Sequence, residues 1–148
     1  MKHLLDASVL VPLLNDLGEQ LIVKAAEMQL LTTDLAVYEA SNSLWKLSTL
    51  LKLIALEDAV EAVDVLGDLT ARGVIRAIGF GELDLSSVLR LAGGEELTFY
   101  DASYIVAAET TGATLVTEDG KLKEVASKHV DTMTYTNFRH KVTPSKGP

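Results

Sequence analysis

The stretch KHLLDASVLVPLL, residues 2–14, sets one charged side chain inside an apolar run. A carboxylate at Asp6 costs free energy there unless it is paired, capped or bound to a metal. Residues 2–5 form a short apolar run that reads as a buried strand. The following DAS looks like a helix start, so SVLVPLLND reads as a short helix with Pro12 in its first turn. A strand feeding directly into a helix is the opening of an α/β fold. Asp6 then falls at the carboxyl end of a strand, where sites form in parallel sheets.

The same alternation continues along the chain. GEQLIVKAAEMQ reads as a helix and LLTT as a second strand. In DLAVYEASNSLWKLSTLLK, Val37, Ala40, Leu44, Leu47 and Leu51 recur at spacings of three and four, which makes one buried helical stripe. EDAVEAVDVLGDL is another amphipathic helix, closed by a Gly stop at ARG. VIRAI is a strand, DLSSVLRLA a short helix and GGEE a loop. TFYDASYIVAAETTG is a helix with a Gly stop, ATLVT a strand and EDGKLKEVASKH a short helix. DTMTYTNF, which alternates Thr with larger residues, reads as a last strand, and TPSKGP as a frayed tail. These elements predict an α/β sandwich with a mostly parallel central sheet flanked by helices.

Composition narrows the chemistry. A chain of 148 residues with 48% hydrophobic residues supports one domain with a substantial core, and 5% aromatic residues make that core aliphatic. With no cysteine, disulfides, thiol nucleophiles and Cys-based zinc sites are excluded, which fits a cytoplasmic protein. No apolar run reaches the roughly 18 residues of a spanning helix. Asp6 also breaks the signal-peptide-like opening, so neither membrane nor secretion is expected. The net charge of −8 argues against a generic nucleic-acid coat protein. The charge is uneven, however: residues 121–148 hold six Lys/Arg against two Asp/Glu. That basic end offers phosphate contacts.

Each acid near an element's end has an ordinary explanation. Asp6 and Asp119 can cap helices, Asp101 lies three residues after Thr98 in a capping-box pattern, and Glu39 can be a solvated helix position. Together they say more. LLDAS, YEASN, YDASY and LVTED place Asp6, Glu39, Asp101 and Asp119 at or near ends of elements that meet on one rim of a parallel sheet. Glu39 lies on the flank of its helix's apolar stripe and reaches a cleft beside the core. Several carboxylates in one cleft raise one another's pKa, and a divalent cation removes that conflict. All-oxygen ligands select Mg²⁺ or Mn²⁺ over zinc, and His3, His129 and His140 lack zinc-motif spacing. Ser8, Asn42 and Thr117 stand close in sequence to these acids, as groups that hold a water or a phosphate oxygen. Capping and helix-surface polarity compete with that role.

This set of motifs resembles the PIN domain, and most closely the small VapC-type toxins, over about residues 3–137. The match consists of Leu5-Asp6-Ala7-Ser8 after the first strand, Glu39-Ala40-Ser41-Asn42 on the long helix, Tyr100-Asp101-Ala102-Ser103-Tyr104 opening a later helix, and Leu115-Val116-Thr117-Glu118-Asp119 after a late strand. Residues 53–95 carry no motif. The resemblance implies a single PIN-like domain over 1–148 with a frayed basic C-terminal tail. It implies an endoribonuclease whose Asp6, Glu39, Asp101 and Asp119 bind Mg²⁺ or Mn²⁺, and the toxin of a VapBC-type pair. It further implies a homodimer silenced by a cognate antitoxin protein, with Leu- and Val-rich helices of the first half supplying surfaces for both. The role of Glu118 stays open.

Two other functions compete. A non-catalytic PIN-like module would bind RNA or protein without cutting, but such members typically lose acids and this chain keeps all four. A PIN-like RNA-processing nuclease usually carries an additional domain. GGEEL at 93–97 is similar to a diguanylate cyclase signature but lacks a surrounding hairpin. GFGELD lacks dinucleotide-loop spacing, and no Ser sits in a G-x-S-x-G elbow.

Overall fold

Strand β1 (Lys2–Leu5) lies at the centre of a five-stranded, all-parallel sheet with β2 (Gln29–Thr33), β3 (Ile75–Ile78), β4 (Thr114–Val116) and β5 (Thr132–Met133). The order is β3-β2-β1-β4-β5. The computed structural model describes residues 1–142 apart from Glu19, and the tail at 143–148 lies outside the described residues. Successive residues His3, Leu4 and Leu5 are all buried, as are Leu30 to Thr33. Side chains alternate between faces along a strand, so both faces of the sheet are covered. That is why these strands read as continuous apolar runs rather than alternating ones.

Helices α1 (Ala7–Leu17), α2 (Gln20–Ala25), α3 (Asp34–Trp45) and α4 (Leu56–Ala71) connect the strands on one side of β1, and α1, α3 and α4 pack on one another. Helices α5 (Leu85–Glu95) and α6 (Phe99–Thr111) carry the chain from β3 past β1 to β4. α6 rests on β1 and β4. Right-handed crossovers put the two helix groups on opposite faces. α7 (Gly120–Ala126) and α8 (Tyr135–Val142) complete the chain. α8 seals the core with Phe138, fully buried and tilted against the buried His3 ring at 5.2 Å between centroids. Burial holds the His3 imidazole below its usual pKa, with Lys141 and the amino terminus pushing the same way.

Four local expectations are corrected. Asp6 caps α1 one residue earlier than the apolar run suggests, so Pro12 sits inside the helix, beyond its first turn. The long stripe of the third helix stays buried only to Leu44. A π turn at Lys46–Leu50, with the Leu51 N–H bonded to the Lys46 carbonyl at 2.8 Å, rotates the following residues outward, and Leu51 is 49% exposed. GGEE is not a loop: α5 runs through Gly93 and Gly94 to Glu95. Val88 and Ala92 of α5 are buried against Ala102 and Val106 of α6, which offsets the cost of about 1 kcal/mol for each helical Gly. The last strand ends at Met133, because Tyr135, Phe138 and Val142 have helical spacing and Thr134 accepts the Asn137 N–H at 3.2 Å.

α5 thus spends its glycines in the helix body and ends on Glu96, a left-handed residue at φ 55°. An L side chain there is disfavoured, whereas Gly tolerates it. Glu96→Gly should raise the stability of the protein by roughly 0.5–1 kcal/mol in urea denaturation. No change, or a loss, would mean that the Glu96 side chain makes a compensating contact.

Candidate active site

The strand order places one rim position apart from the rest. From β1 the chain moves outward through β2 to β3, then returns to the other side of β1 for β4 and β5. Between the carboxyl ends of β1 and β4 the connections diverge and leave a crevice. Asp6 follows β1 and Asp119 follows β4, so both flank this switch point. The carboxyl end of β2, at Thr33, launches α3 and carries Glu39 into the same region. Asp101 stands in the first turn of α6.

Asp6 is only 3% exposed, and three donors hold it. Its Oδ1 accepts the Ser8 N–H at 3.0 Å and the Ser8 hydroxyl, and its Oδ2 accepts the Thr117 hydroxyl. Both hydroxyls are themselves fixed by the loop after β4. The Glu118 N–H donates to Ser8 Oγ at 3.0 Å, and the Asp119 N–H donates to Thr117 Oγ1 at 3.0 Å. Ser8 and Thr117, expected to hold water or phosphate, thus spend their protons on Asp6. Asp6 caps α1 as well, so capping and a role in the site coexist.

The other acids are less confined. Glu39 and Asp101 are half-buried, and Asp119 is exposed. Asp119 Oδ1 caps α7 by accepting the Lys121 and Leu122 N–H groups at 3.0 and 3.1 Å. The Asp101 N–H caps back onto Thr98 Oγ1 at 3.1 Å. Asn42 is exposed on α3 and makes no side-chain hydrogen bond among the described residues. Glu118 accepts the Tyr135 N–H on Oε1 at 2.6 Å and so serves the start of α8.

The acids act on one another. Burial raises the Asp6 carboxyl above its ordinary pKa, opposed by the Ser8 and Thr117 hydrogen bonds and reinforced by Asp119. Burial raises Glu39, and the charges of Asp101 and Asp6 add to it. Burial raises Asp101, Asp119 adds to it, and Lys121 opposes it. None of the four acids takes part in an ion pair among the described residues. As the side chains stand, no three acidic or imidazole groups among the described residues gather closely enough to hold an ion. The donor set is nevertheless all oxygen, anionic and unneutralised, which suits a hard divalent cation.

Two further residues belong to this region. Thr33 caps α3 through its hydroxyl, and Tyr104, buried on α6, has an unpartnered hydroxyl near Glu39 and Asp6. The position of Tyr104 one turn after Asp101 was the available signal, since residues three apart share a helix face. A hollow of about 670 Å³, lined by Lys2, Glu27, Met28 and Gln29 among others, lies at the opposite, amino-terminal rim, away from these acids.

Comparison with known proteins adds an independent line. The family model for the PIN domain matches residues 3–128. Two curated relatives come from Pyrobaculum aerophilum. Exonuclease VapC9 is 33% identical over 134 residues, 90% of this chain and 92% of the relative. Ribonuclease VapC3 is 30% identical over 129 residues, 84% of this chain and 94% of the relative. Among solved structures, that of PAE2754 from Pyrobaculum aerophilum superposes with a TM-score of 0.74 at 29% identity, covering 96% of this chain and 95% of the other. VapBC-1 from nontypeable Haemophilus influenzae gives 0.62 at 14% identity, covering 92% and 99%, a likeness of fold alone.

Burial, with repulsion between neighbouring acids added, makes the acid cluster a stability cost with a definite pH sign. A carboxyl raised in the folded state binds its proton more tightly there than in the unfolded chain. Stability therefore falls as pH rises from the ordinary carboxylate range through the raised folded values. Without added metal at neutral pH, Glu39→Gln or Asp101→Asn should raise Tm. The gain should be at most about 4 °C, near 1 kcal/mol, because both groups are part exposed. It should vanish on acidification below the ordinary carboxylate pKa. A thermal melt in which Asp101→Asn lowers Tm at pH 7 would contradict this cost of burying the charge among other acids.

Proposed function

Because this chain belongs to the PIN-domain family, we propose that it is a Mg²⁺- or Mn²⁺-dependent ribonuclease of the VapC kind, the toxin of a toxin–antitoxin pair. The observation that carries this is the cluster itself. Asp6, Glu39, Asp101 and Asp119 come from four separate segments and surround the sheet's switch point; burial and neighbouring acids raise Asp6, Glu39 and Asp101, and no basic side chain among the described residues forms an ion pair with any of the four.

Asp6 is the fixed member, since Ser8 and Thr117 leave it little freedom. Glu39 and Asp101, half-buried on helices, have the rotamer freedom to close on a cation. Asp119 uses Oδ1 as a cap and keeps Oδ2 free. Bound there, the metal would polarise the phosphoryl oxygens of RNA and lower the pKa of an attacking water. Ser8 and Thr117 serve by orienting Asp6. Asn42, exposed three residues after Glu39, is available to a phosphate oxygen. Lys121 and Lys123 on α7 bring positive charge close to the rim, which favours an RNA backbone against the acidic surroundings. Action on RNA puts the protein in the cytoplasm, and no helix among the described residues is long and apolar enough to cross a membrane.

The exposed apolar residues around the π turn support protein partners. Trp45, Leu50, Leu51, Leu53, Leu56 and Val60 are all at least 44% exposed within sixteen residues. A strip of this kind marks a contact surface more often than free solvent. A second copy of the chain and an antitoxin are its proposed occupants.

One relative is named an exonuclease and the other a ribonuclease, so the mode of attack is a real alternative. We favour cutting within the RNA chain. Linear and circular single-stranded RNA, each incubated with Mg²⁺, Mn²⁺ or EDTA beside Asp101→Asn, separate the readings. We expect both RNAs to be cut, EDTA to stop the reaction, and Asp101→Asn to slow it at least about a hundredfold. Cutting of the linear form alone would establish an exonuclease. No cutting, with no Mn²⁺ binding by calorimetry, would overturn the nuclease in favour of a binding module.

A further inference from the structure

Tyr104 is 2% exposed, and its hydroxyl completes no hydrogen bond among the described residues. Buried polar groups are rarely left so. The hydroxyl lies beside the Ala7 backbone and Thr33 side chain, with the Glu39 and Asp6 carboxylates near. Which of these can take its proton follows from counting donors. Thr33 Oγ1 already accepts the Ala36 N–H at 3.1 Å, so its own proton is free to give. Ala7 opens α1, where a first-turn N–H has no acceptor within the helix. Both neighbours therefore have a donor to offer the phenol oxygen. Asp6 is already occupied by Ser8 twice and by Thr117. Glu39 accepts no other side-chain hydrogen bond among the described residues, and the Tyr104 hydroxyl, beyond ordinary bonding distance, is the one side-chain donor that acts to lower its pKa. An ordinary phenol is protonated near neutral pH, so the hydroxyl is an O–H donor.

We infer that Tyr104 is a positioning residue for the metal site, donating its hydroxyl proton to the Glu39 carboxylate and fixing which oxygen that carboxylate presents to a cation. The inference rests on the metal-site reading above and assigns a part of it to a neutral residue from a different helix. Ligating carboxylates are held by such outer partners, and losing one typically weakens metal affinity about ten- to a hundredfold.

The test is calorimetric titration of the purified full chain with Mn²⁺, for the wild type, Tyr104→Phe, Glu39→Gln and the double variant, each with a thermal melt. Phe keeps the ring and removes only the hydroxyl. We expect Tyr104→Phe to bind Mn²⁺ about ten- to a hundredfold more weakly with Tm unchanged or higher, and to add little in the Glu39→Gln background. Equal affinity for wild type and Tyr104→Phe would overturn the positioning role and leave the metal site standing. So would a full, additive loss in the Glu39→Gln background. A wild type that binds no Mn²⁺ would overturn the metal-site reading itself. Should Tyr104→Phe fail to fold, the Tyr104 Cζ resonance of the ¹³C-tyrosine-labelled wild type replaces it. A shift on saturation with diamagnetic Mg²⁺ is expected, and an unmoved resonance overturns the proposal.

Discussion

The Asp6 carboxylate, almost wholly withdrawn from solvent, has to be satisfied without a paired cation among the described residues, and much of the acidic rim is built to do it. Ser8 and Thr117 donate to it, and the backbone of Glu118 and Asp119 donates in turn to those hydroxyls. One network therefore sets the position of Asp6, the path of the loop after β4, and the placement of Asp119. A charge buried without such donors would be expelled or neutralised. With them it is tolerated, and its remaining negative potential is directed into the crevice beside β1.

The same network explains why the cluster is an unfavourable arrangement that the fold can sustain. Carboxyls raised by burial and by neighbouring charge store electrostatic strain, and functional sites are where proteins keep such strain. The surrounding sheet carries the cost. Leu4, Leu5, Leu115 and Val116, on the two central strands, are fully buried, and the acids sit just past the ends of those strands. Rigid apolar strands thus fix the backbone from which repelling groups emerge.

Much of this was legible in the sequence because the informative residues are local. An apolar run ending in Asp6, a helix opening at Thr98 with Asp101 in its first turn, and Val116-Thr117 leading to Asp119 are patterns that strand ends and caps impose. The parallel sheet followed from strands without alternation. Illegible features depended on tertiary balance. Two glycines predict a loop at 93–94, but packing of Val88 and Ala92 on α6 holds them helical. The period-two Thr pattern at 132–136 suggested a strand, yet Phe138 and Val142 set the helical period that decides the matter. The π turn after Trp45 has no sequence mark at all, and it turns the second half of a stripe expected in the core toward solvent. The hydroxyl of Tyr104 was in plain view within YDASY. Its vacancy was not, since a donor count needs the groups from α1 and α3 that surround it.

The bond between Thr117 and Asp6 joins residues 111 positions apart, and His3 pairs with Thr114 across an equally long loop. Closing that loop costs entropy before any contact rewards it, and contacts so distant in sequence form late. The amino-terminal strand can pair early with β2, only some 27 residues on, and so build half the sheet. Its other edge must wait for β4. A chain emerging from the ribosome therefore carries Asp6 and Glu39 long before it holds their counterparts, and the crevice assembles only when the last third of the polypeptide has docked. Synthesis itself delays the moment at which the acids share one field, and a chain truncated before β4 would expose an unpaired central strand edge, an aggregation hazard rather than a partial active site.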